Sequence, residues 1–354
     1  MSFPPSYGGP PPWQRAGAPR PAAPPRQPRL DQPGLDEPED ADPSAAVPSA
    51  AAPSEAGTPV AEAAAAAPAR TTVADRLPLA IGPTGRPMPV FPEPAPLTRH
   101  GPARVIAMCN QKGGVGKTTT TINLGAAFAE LGRRVLLVDF DPQGSLSVGL
   151  GVAPHELDLS IYNLLLQRGV ELADVVRPTK VANLHLLPAN IDLSGAEMQL
   201  VTEVAREQVL QQALRPAYDD YDVILIDCQP SLGLLTVNAL TAAHGVIVPM
   251  ECEYFALRGL AMLTETIEKV QQRLNPGLEI IGVLPSMYDA RTIHTREVMA
   301  RVVERFGDHV FHTVIARTIR FPETTVAGEP ITTYDTSSTG AASFRQLARE
   351  VLAR

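Results

Sequence analysis

The sequence predicts a doubly wound α/β fold, a mostly parallel sheet covered by helices on both faces. From about residue 104 onward, short apolar runs alternate with helical patterns, and the connections between them are short. A glycine-rich loop joins the first apolar run to the first helical pattern. Such alternation is typical of this fold class. The region, about 250 residues, is long enough for one such core.

Five apolar runs predict the strands, because a strand buried on both faces shows a continuous run rather than alternation. They are RVIAMC (104–109), RVLLVDFD (134–141), VILIDC (223–228), GVIVPM (245–250) and EIIGVL (279–284). Between them, TTINLGAAFAELG (120–132) and LRGLAMLTETIEKVQQRL (257–274) have helical periodicity. One face of the second is apolar, at Leu257, Leu260, Leu263, Ile267, Val270 and Leu274.

Residues 1–100 differ in composition and are predicted to form a disordered Pro/Ala-rich arm before a domain at 104–354. About two-thirds of the 36 prolines fall in them, with alanine runs such as AEAAAAAPAR (61–70). Too few large apolar side chains are present to offset chain entropy. Basic residues precede an acidic block: Arg15, Arg20, Arg26 and Arg29, then Asp36, Glu37, Glu39, Asp40 and Asp42. The arm is either a solvated tail or a partner-binding or localising segment.

Composition also excludes several classes. The three cysteines are an odd number without paired spacing, which fits a reducing cytoplasm rather than a disulfide framework. We expect no signal peptide and, since no run approaches 18 apolar residues, no membrane span. The net charge of −8 disfavours a wholly basic nucleic-acid binder but allows a local basic patch.

The stretch NQKGGVGKTTT (110–120) resembles the phosphate-binding loop G-x-x-x-x-G-K-[ST]. It departs from that motif at Gln111, in place of the first glycine, and by a second lysine, Lys112. A strand precedes the loop and a helix starts near Lys117, the context that a genuine phosphate-binding loop requires. The stretch is therefore predicted to bind a nucleotide, and the extra cation needs its own explanation.

The residue types in this loop suit phosphate chemistry. Gly113, Gly114 and Gly116 allow the backbone to curl so that its N–H groups converge on phosphate oxygens, and the helix N-terminus adds partial positive charge. Lys117 is expected to reach the β- and γ-phosphates, and the Thr118 hydroxyl to bind Mg²⁺. The alternative, a glycine turn without a ligand, does not account for the strand, loop, lysine and threonine together.

Two acidic sites follow predicted strands, where ligands of open α/β sheets bind. In VILID, Asp227 follows four apolar residues, as in a Walker B segment, and is expected to hold Mg²⁺ directly or through water. In VLLVDFDPQGS, Asp139 and Asp141 share a face if the strand continues. Either is a candidate to orient the attacking water or support the metal. The alternative for each is an aspartate that caps a loop.

Together these segments carry a family resemblance. KGGVGKTT, DFDPQG and IDCQPSLG occur in the order and spacing of the ParA/Soj partitioning ATPases, part of the deviant Walker A group that includes MinD. The resemblance covers roughly residues 104–354. It implies a P-loop ATPase that uses ATP and Mg²⁺ and forms a homodimer on ATP. It further implies chromosome or plasmid partitioning with a ParB-like partner that stimulates weak hydrolysis.

The resemblance also implies roles for individual residues. Lys112 matches the signature lysine, which crosses the dimer interface to the phosphates of the other subunit's nucleotide. Lys117 matches the phosphate-binding lysine and Thr118 the Mg²⁺ ligand, while Asp141 matches the aspartate needed for hydrolysis and Asp227 the Walker B aspartate. The implied nucleotide-binding set is Lys112, Gly113, Gly114, Val115, Gly116, Lys117, Thr118 and Thr119. ATP then holds the dimer together, and hydrolysis loosens it.

Family members bind DNA without sequence preference in the ATP-bound dimer, through arginines late in the chain. The corresponding positions resemble Arg291 and Arg320. Further arginines lie between them and give a local basic surplus: Arg296, Arg301, Arg305 and Arg317. The resemblance implies strongly salt-dependent phosphate contacts and a cytoplasmic, nucleoid-associated protein. The alternative is a solvated helix face with ordinary ion pairs.

Three positions depart from the family pattern. Gln229 stands where many members have proline, which alters the loop after Asp227 without removing the aspartate. Ala316 and Thr318 replace a frequent proline and asparagine beside the expected adenine pocket. These departures put the base contacts in question but leave the phosphate contacts unaffected.

Other readings fit less well. A MinD-like membrane ATPase needs a C-terminal amphipathic anchor, whereas SFRQLAREVLAR resembles a core-packing final helix. An iron–sulfur reductase needs two loop cysteines per subunit, but Cys109, Cys228 and Cys252 lie on or beside strands. Related tyrosine kinases usually end in a tyrosine cluster, and Tyr334 stands alone. A nucleotide-gated scaffold whose arm recruits partners remains an alternative.

Overall fold

The computed structural model describes residues 80–354. In this range one sheet contains seven strands: β1 (Arg104–Met108), β2 (Val135–Phe140), β3 (Arg177–Pro178), β4 (Leu184–Leu187), β5 (Val223–Cys228), β6 (Gly245–Glu251) and β7 (Glu279–Ser286). Their order is β3-β4-β2-β5-β1-β6-β7. Neighbours are parallel, except that β3 is antiparallel to β4.

Helices flank this sheet. They are α1 (Lys117–Glu130), α2 (Ser145–Gly149), α3 (Ile161–Leu166), α4 (Leu172–Val175), α5 (Leu193–Leu200), α6 (Val209–Leu214), α7 (Leu234–Ala242), α8 (Ala256–Arg273), α9 (Ile293–Phe306), α10 (Arg320–Ala327), α11 (Ile331–Tyr334) and α12 (Thr339–Ala353). Over the described part of the chain, no helix combines the length and apolarity needed to cross a membrane.

The sheet is buried on both faces, as the apolar runs predict. Along β1, Val105 and Ala107 belong to one buried cluster, while Ile106 and Met108 belong to a second. Successive side chains of a strand point to opposite faces, so the two clusters lie on the two sides of the sheet. The predicted doubly wound α/β fold is confirmed.

All five predicted apolar runs form strands, namely β1, β2, β5, β6 and β7. The two strands at one end of the sheet, β3 and β4, were not predicted. Strand β4 has four residues, one of them His185, and β3 has only two. Such short strands have too few apolar positions to stand out as a run.

The final helix packs into the core. In α12, Phe344, Leu347 and Val351 are at most 1% exposed and belong to the cluster that also contains residues of α1. Phe344 packs against Phe321 with ring centroids 5.8 Å apart. The prediction that this final helix packs into the core is confirmed for these apolar residues.

The end of the predicted arm differs from expectation. Residues 1–79 lie outside the described residues, whereas residues 80–100 lie against the domain. We call residues 80–101 the N-terminal strap. It has no helix and one isolated β-bridge, between Ile81 and Pro87. Composition predicts that such a segment does not fold alone, but it carries no information about docking onto a surface that the rest of the chain provides.

Hydrogen bonds fasten the strap near both ends. The Arg86 guanidinium donates to the carbonyl oxygen of Gly307 at 2.9 Å. Near the other end, Asp222 accepts from the Gly101 N–H at 2.9 Å and pairs with His100 Nδ1 at 2.8 Å. In the middle of the strap, the carbonyl oxygen of Ala95 accepts a hydrogen bond from the guanidinium of Arg133 on the domain, at 3.2 Å.

All three cysteines are free and buried. Cys109 directly follows β1, and Cys228 is the last residue of the neighbouring strand β5. Their sulfur atoms are 3.0 Å apart. Burial raises the pKa of the Cys228 thiol well above its usual value. The pair therefore behaves as small apolar packing groups in the folded protein.

Candidate functional site

The register of the parallel strands brings the predicted loop and two acidic residues to one edge of the sheet. Asp227 on β5 lies opposite Met108 on β1 and opposite Asp139 on β2. The glycine-rich loop leaves β1 directly after Met108. The carboxyl ends of the three central strands thus form one site, where ligands of open α/β sheets bind.

The loop between β1 and α1 has the backbone of an anion cradle. Gly114 and Gly116 have φ angles of 75° and 85°, in the left-handed region that glycine adopts at little cost. A Cβ atom at Gly113 or Gly114 would meet no other atom within 4 Å, so the loop has open space beside it. Gly116 leads into α1, whose first N–H groups lack intrahelical acceptors. This geometry suits phosphate oxygens.

Three predicted residues come together at the base of the loop. Lys117 is only 7% exposed, and its Nζ donates to the carbonyl oxygen of Lys112 at 3.2 Å. The Thr118 hydroxyl donates to Asp227 Oδ2 at 2.7 Å. A second hydroxyl, that of Thr121, lies 3.4 Å from Asp227 Oδ1. A buried cation and a buried carboxylate thus flank the start of α1.

The buried carboxylates are costly to ionise. Burial and, to a lesser extent, the charge of Asp139 raise the pKa of Asp227 to about 8, although the Thr118 hydroxyl and Lys117 oppose the shift. Burial also raises the pKa of Asp139 to about 6. Carboxylate and hydroxyl oxygens are the ligands that Mg²⁺ prefers, and a divalent cation would offset the clustered negative charge. The residues of this site therefore fit Mg²⁺.

Asp139, near the end of β2, and Asp141, just after it, occupy different environments. Asp139 is fully buried, and its Oδ2 accepts from the N–H and the hydroxyl of Ser147 at 2.8 and 2.7 Å, so it fastens α2. Asp141 is partly exposed, and its Oδ1 accepts from the Gln143 N–H at 3.0 Å. Of the two candidates for orienting water, Asp141 is therefore the accessible one, and Asp139 matches the capping alternative.

Lys112 lies at the outer rim of the loop, apart from Asp227. Its Nζ is 3.0 Å from Glu251 Oε2 and 2.5 Å from Glu253 Oε2, and we call these two residues the carboxylate clamp. Glu251 also pairs with Arg317. Partial burial lowers the Lys112 pKa, but the hydrogen bonds to Glu253 and Glu251 outweigh it and raise the pKa overall. The second lysine is thus held on its own subunit's surface.

The rim of the loop is also apolar on one side. A cavity of about 300 Å³ lies beside Lys112 and is bordered by Phe255 and Met262 of the β6–α8 region. Tyr254 and Phe255 are 73% and 74% exposed and pack edge to face. Large aromatic side chains with this exposure are typical of surfaces that contact another molecule.

The predicted DNA-binding arginines lie on the surface with local partners. Arg291 is 89% exposed and forms two hydrogen bonds with Asp289, at 2.9 and 2.8 Å. Arg320 lies 2.9 Å from Glu323 and 3.6 Å from Asp335. On α9 the arginine side chains are exposed and, within residues 80–354, have no carboxylate within 4 Å: Arg296, Arg301 and Arg305.

The departures from the family pattern have clear local settings. Gln229 donates to Glu197 Oε1 at 3.1 Å, and the same oxygen accepts from the Leu235 N–H at 3.2 Å at the start of α7. Gln229 is thus tied to α5. Ala316 forms an isolated parallel bridge with Tyr288, which holds the segment at residues 315–318 beside β7.

Sequence reasoning missed the carboxylate clamp. Glu251 ends β6, so an acidic residue directly after the run GVIVPM was an available signal, since the carboxyl ends of parallel strands gather at one edge. Glu253 had no such signal, because it follows in a loop. Ser147 donates to Asp139 only because α2 brings it there, so the sequence pattern does not indicate this contact.

Comparisons with known proteins agree with this geometry. An AAA domain family model matches residues 103–280. The chromosome-partitioning ATPase Soj of Treponema pallidum is 49% identical over 251 residues, covering 71% of this chain and 98% of the relative. The sporulation initiation inhibitor protein Soj of Bacillus subtilis is 48% identical over 250 residues, covering 71% of this chain and 98% of the relative.

A solved structure resembles the described domain. Cobyrinic acid a,c-diamide synthase from Mycobacterium smegmatis, solved with ADP and magnesium, has a TM-score of 0.63 and 46% identity, and the match covers 71% of this chain and 94% of that one. That protein binds a nucleotide and magnesium, the ligand pair that the loop and the buried carboxylates of the present chain fit.

Proposed function

Because the chain belongs to the Soj/ParA family of chromosome-partitioning ATPases, we propose that it dimerises on ATP, binds DNA without sequence preference and leaves DNA after hydrolysis. A ParB-like partner would stimulate that hydrolysis, and the protein would act in the cytoplasm on the nucleoid. The observation that carries the proposal is the placement of the two lysines. Lys117 is buried at the base of the glycine-rich loop, whereas the Lys112 side chain lies at the rim of the loop, 43% exposed and paired with Glu251 and Glu253.

Within one subunit, the chain's own residues divide the work. Lys117 and the N–H groups of the loop would hold phosphate oxygens, and Thr118 and Asp227 would hold Mg²⁺. Asp141, which is reachable from solvent, positions the attacking water. Bound ATP with Mg²⁺ supplies the phosphoryl group to be transferred and a cation that neutralises developing charge.

Between subunits, Lys112 supplies the switch. A cation delivered across the interface favours the state in which a γ-phosphate is present, because charge-assisted contacts to phosphate are strong. Lys112 must leave Glu251 and Glu253 to do so. The exposed pair Tyr254 and Phe255 beside it provides apolar area that a second subunit would bury.

DNA binding rests on a surface around α9. Arg296, Arg301 and Arg305 have no carboxylate partner within residues 80–354 and are available to phosphates. Arg291 and Arg320 join them by exchanging their local carboxylates for DNA phosphates. Two such surfaces in a dimer would double the number of contacts, so DNA affinity depends on dimerisation.

The central experiment compares Lys112→Ala with Asp141→Ala, using Lys269→Ala as the control for removing an exposed lysine. Lys112→Ala is expected to bind ATP but remain monomeric and off DNA in sedimentation and filter-binding assays. Asp141→Ala is expected to accumulate as an ATP-bound dimer on DNA. If Lys112→Ala dimerises as the control does, the cross-subunit role is wrong.

A salt titration tests the DNA surface separately. A plot of log affinity against log salt has a negative slope, and each phosphate contact removed makes that slope less steep by about 0.9. Arg296→Ala and Arg301→Ala should each reduce the slope in this way, while ATP-dependent dimerisation stays unchanged. An unchanged slope in both variants would place DNA binding elsewhere.

A further inference from the structure

A second cavity lies at the opposite end of β1 from the glycine-rich loop. It has a volume of about 230 Å³ and lies between the N-terminal strap, the start of β1 and the end of α12. Arg104 at the start of β1 lies roughly 15 Å from the loop that follows Met108, at about 3.3 Å per residue. This cavity is therefore distinct from the nucleotide site.

Three arginines line the cavity: Arg99, Arg104 and Arg133. None of them has a carboxylate partner within 4 Å among the described residues. Asp222 also lines it, but its oxygens already accept from the Gly101 and Arg134 N–H groups at 2.9 and 2.7 Å. The cavity thus carries more positive than negative charge.

One of these three charges is unusual because it is buried: that of Arg133. The residue is 6% exposed. Its Nη2 donates to the carbonyl oxygen of Ala95, but its Nη1 is buried and has no hydrogen-bond partner in residues 80–354. A buried charged donor without a partner is costly, and native proteins usually satisfy such groups with a ligand, an ion or water.

The remaining walls are apolar. They include Ile106, Phe128 and Val351 of the domain and Leu97 of the strap. A ligand that satisfies both halves of the cavity has one anionic head and a short apolar body.

We propose that the cavity beneath the N-terminal strap binds a small organic anion, with its carboxylate or phosphate on Arg133 and Arg104 and its apolar body against Phe128 and Val351. Such pockets combine apolar walls with a few polar groups that fix orientation. Leu97, Arg99 and Gly101 of the strap line one side of the cavity, so a bound ligand and the docked strap would stabilise each other.

The test uses the full-length protein and the probes octanoate and 1-octanol in isothermal titration calorimetry. Octanoate is expected to bind at least tenfold more tightly than 1-octanol, since the two have similar chains and differ in charge. Arg133→Leu and Arg104→Leu should each weaken octanoate at least tenfold. Arg134→Leu, which removes an exposed neighbouring arginine, should leave binding unchanged.

Two results would overturn the proposal. One is equal affinity for octanoate and 1-octanol, which would mean that the arginines do not recognise charge. The other is wild-type octanoate affinity in Arg104→Leu, a partly exposed position whose variant tests the site even if Arg133→Leu fails to fold. Thermal unfolding of each variant checks folding, and unchanged ATP binding checks that the two sites are separate.

Discussion

Replacing Asp227 by asparagine is expected to stabilise the metal-free protein near neutral pH. The carboxyl group is fully buried and has a pKa of about 8, against about 3.9 in an unfolded chain. Between these values the unfolded state releases the proton that the folded state keeps. The free energy of unfolding therefore falls by about 1.4 kcal/mol per pH unit as the pH rises.

From pH 4 to pH 7 this loss reaches about 4 kcal/mol at most, and relaxation around the charge reduces it. We expect Asp227→Asn to gain about 2–4 kcal/mol at pH 7, because asparagine accepts the Thr118 hydrogen bond without a charge. Urea unfolding in EDTA at pH 5, 6, 7 and 8 measures the gain, which should grow with pH. Asp158→Asn, an exposed control, should show no growth. A pH-independent difference would refute the reasoning.

Three further predictions follow from contacts near the site and in the core. Glu253→Gln weakens the clamp on Lys112 and should strengthen ATP-dependent dimerisation by about two- to fivefold in analytical ultracentrifugation, as for an exposed ion pair; weaker dimerisation would contradict it. Gly125→Val should cost about 1–3 kcal/mol in urea unfolding, because a Cβ there lies 2.6 Å from a methyl carbon of Leu137. Glu197→Ala removes the acceptor at the start of α7 and should cost about 1–3 kcal/mol by the same assay; a stability equal to wild type would mean that water replaces it.

The sequence was sufficient to predict the central sheet and to place the glycine-rich loop and Asp227 at one edge of it. Strands buried on both faces leave apolar runs, and the loop motif records a local backbone requirement at Gly114 and Gly116. Since parallel strands end at one edge, the position of Asp227 near the end of β5 was enough to expect it near Thr118.

Other features depend on contacts between distant parts of the chain. Asp139 and Asp141 look equivalent in the sequence, and only the hydrogen bonds from Ser147 distinguish a buried cap from an accessible carboxylate. Lys112 could be singled out as an extra cation, but its partner Glu251 lies 139 residues further along. The docking of residues 80–100 likewise depends on carbonyl groups, such as that of Gly307, which leave no mark in composition.

The thiol pair at the ends of β1 and β5 gives this protein a built-in reporter of motion. Cys109 and Cys228 are each 1% exposed, beside the edge where nucleotide is proposed to bind. A thiol reagent can modify these two cysteines only when this edge opens, so their labelling rate, separated from that of Cys252 by peptide mass, measures local opening. Nucleotide that rigidifies the edge would slow that labelling. The labelling rate of the native chain would therefore report nucleotide occupancy without an added fluorophore or a substitution.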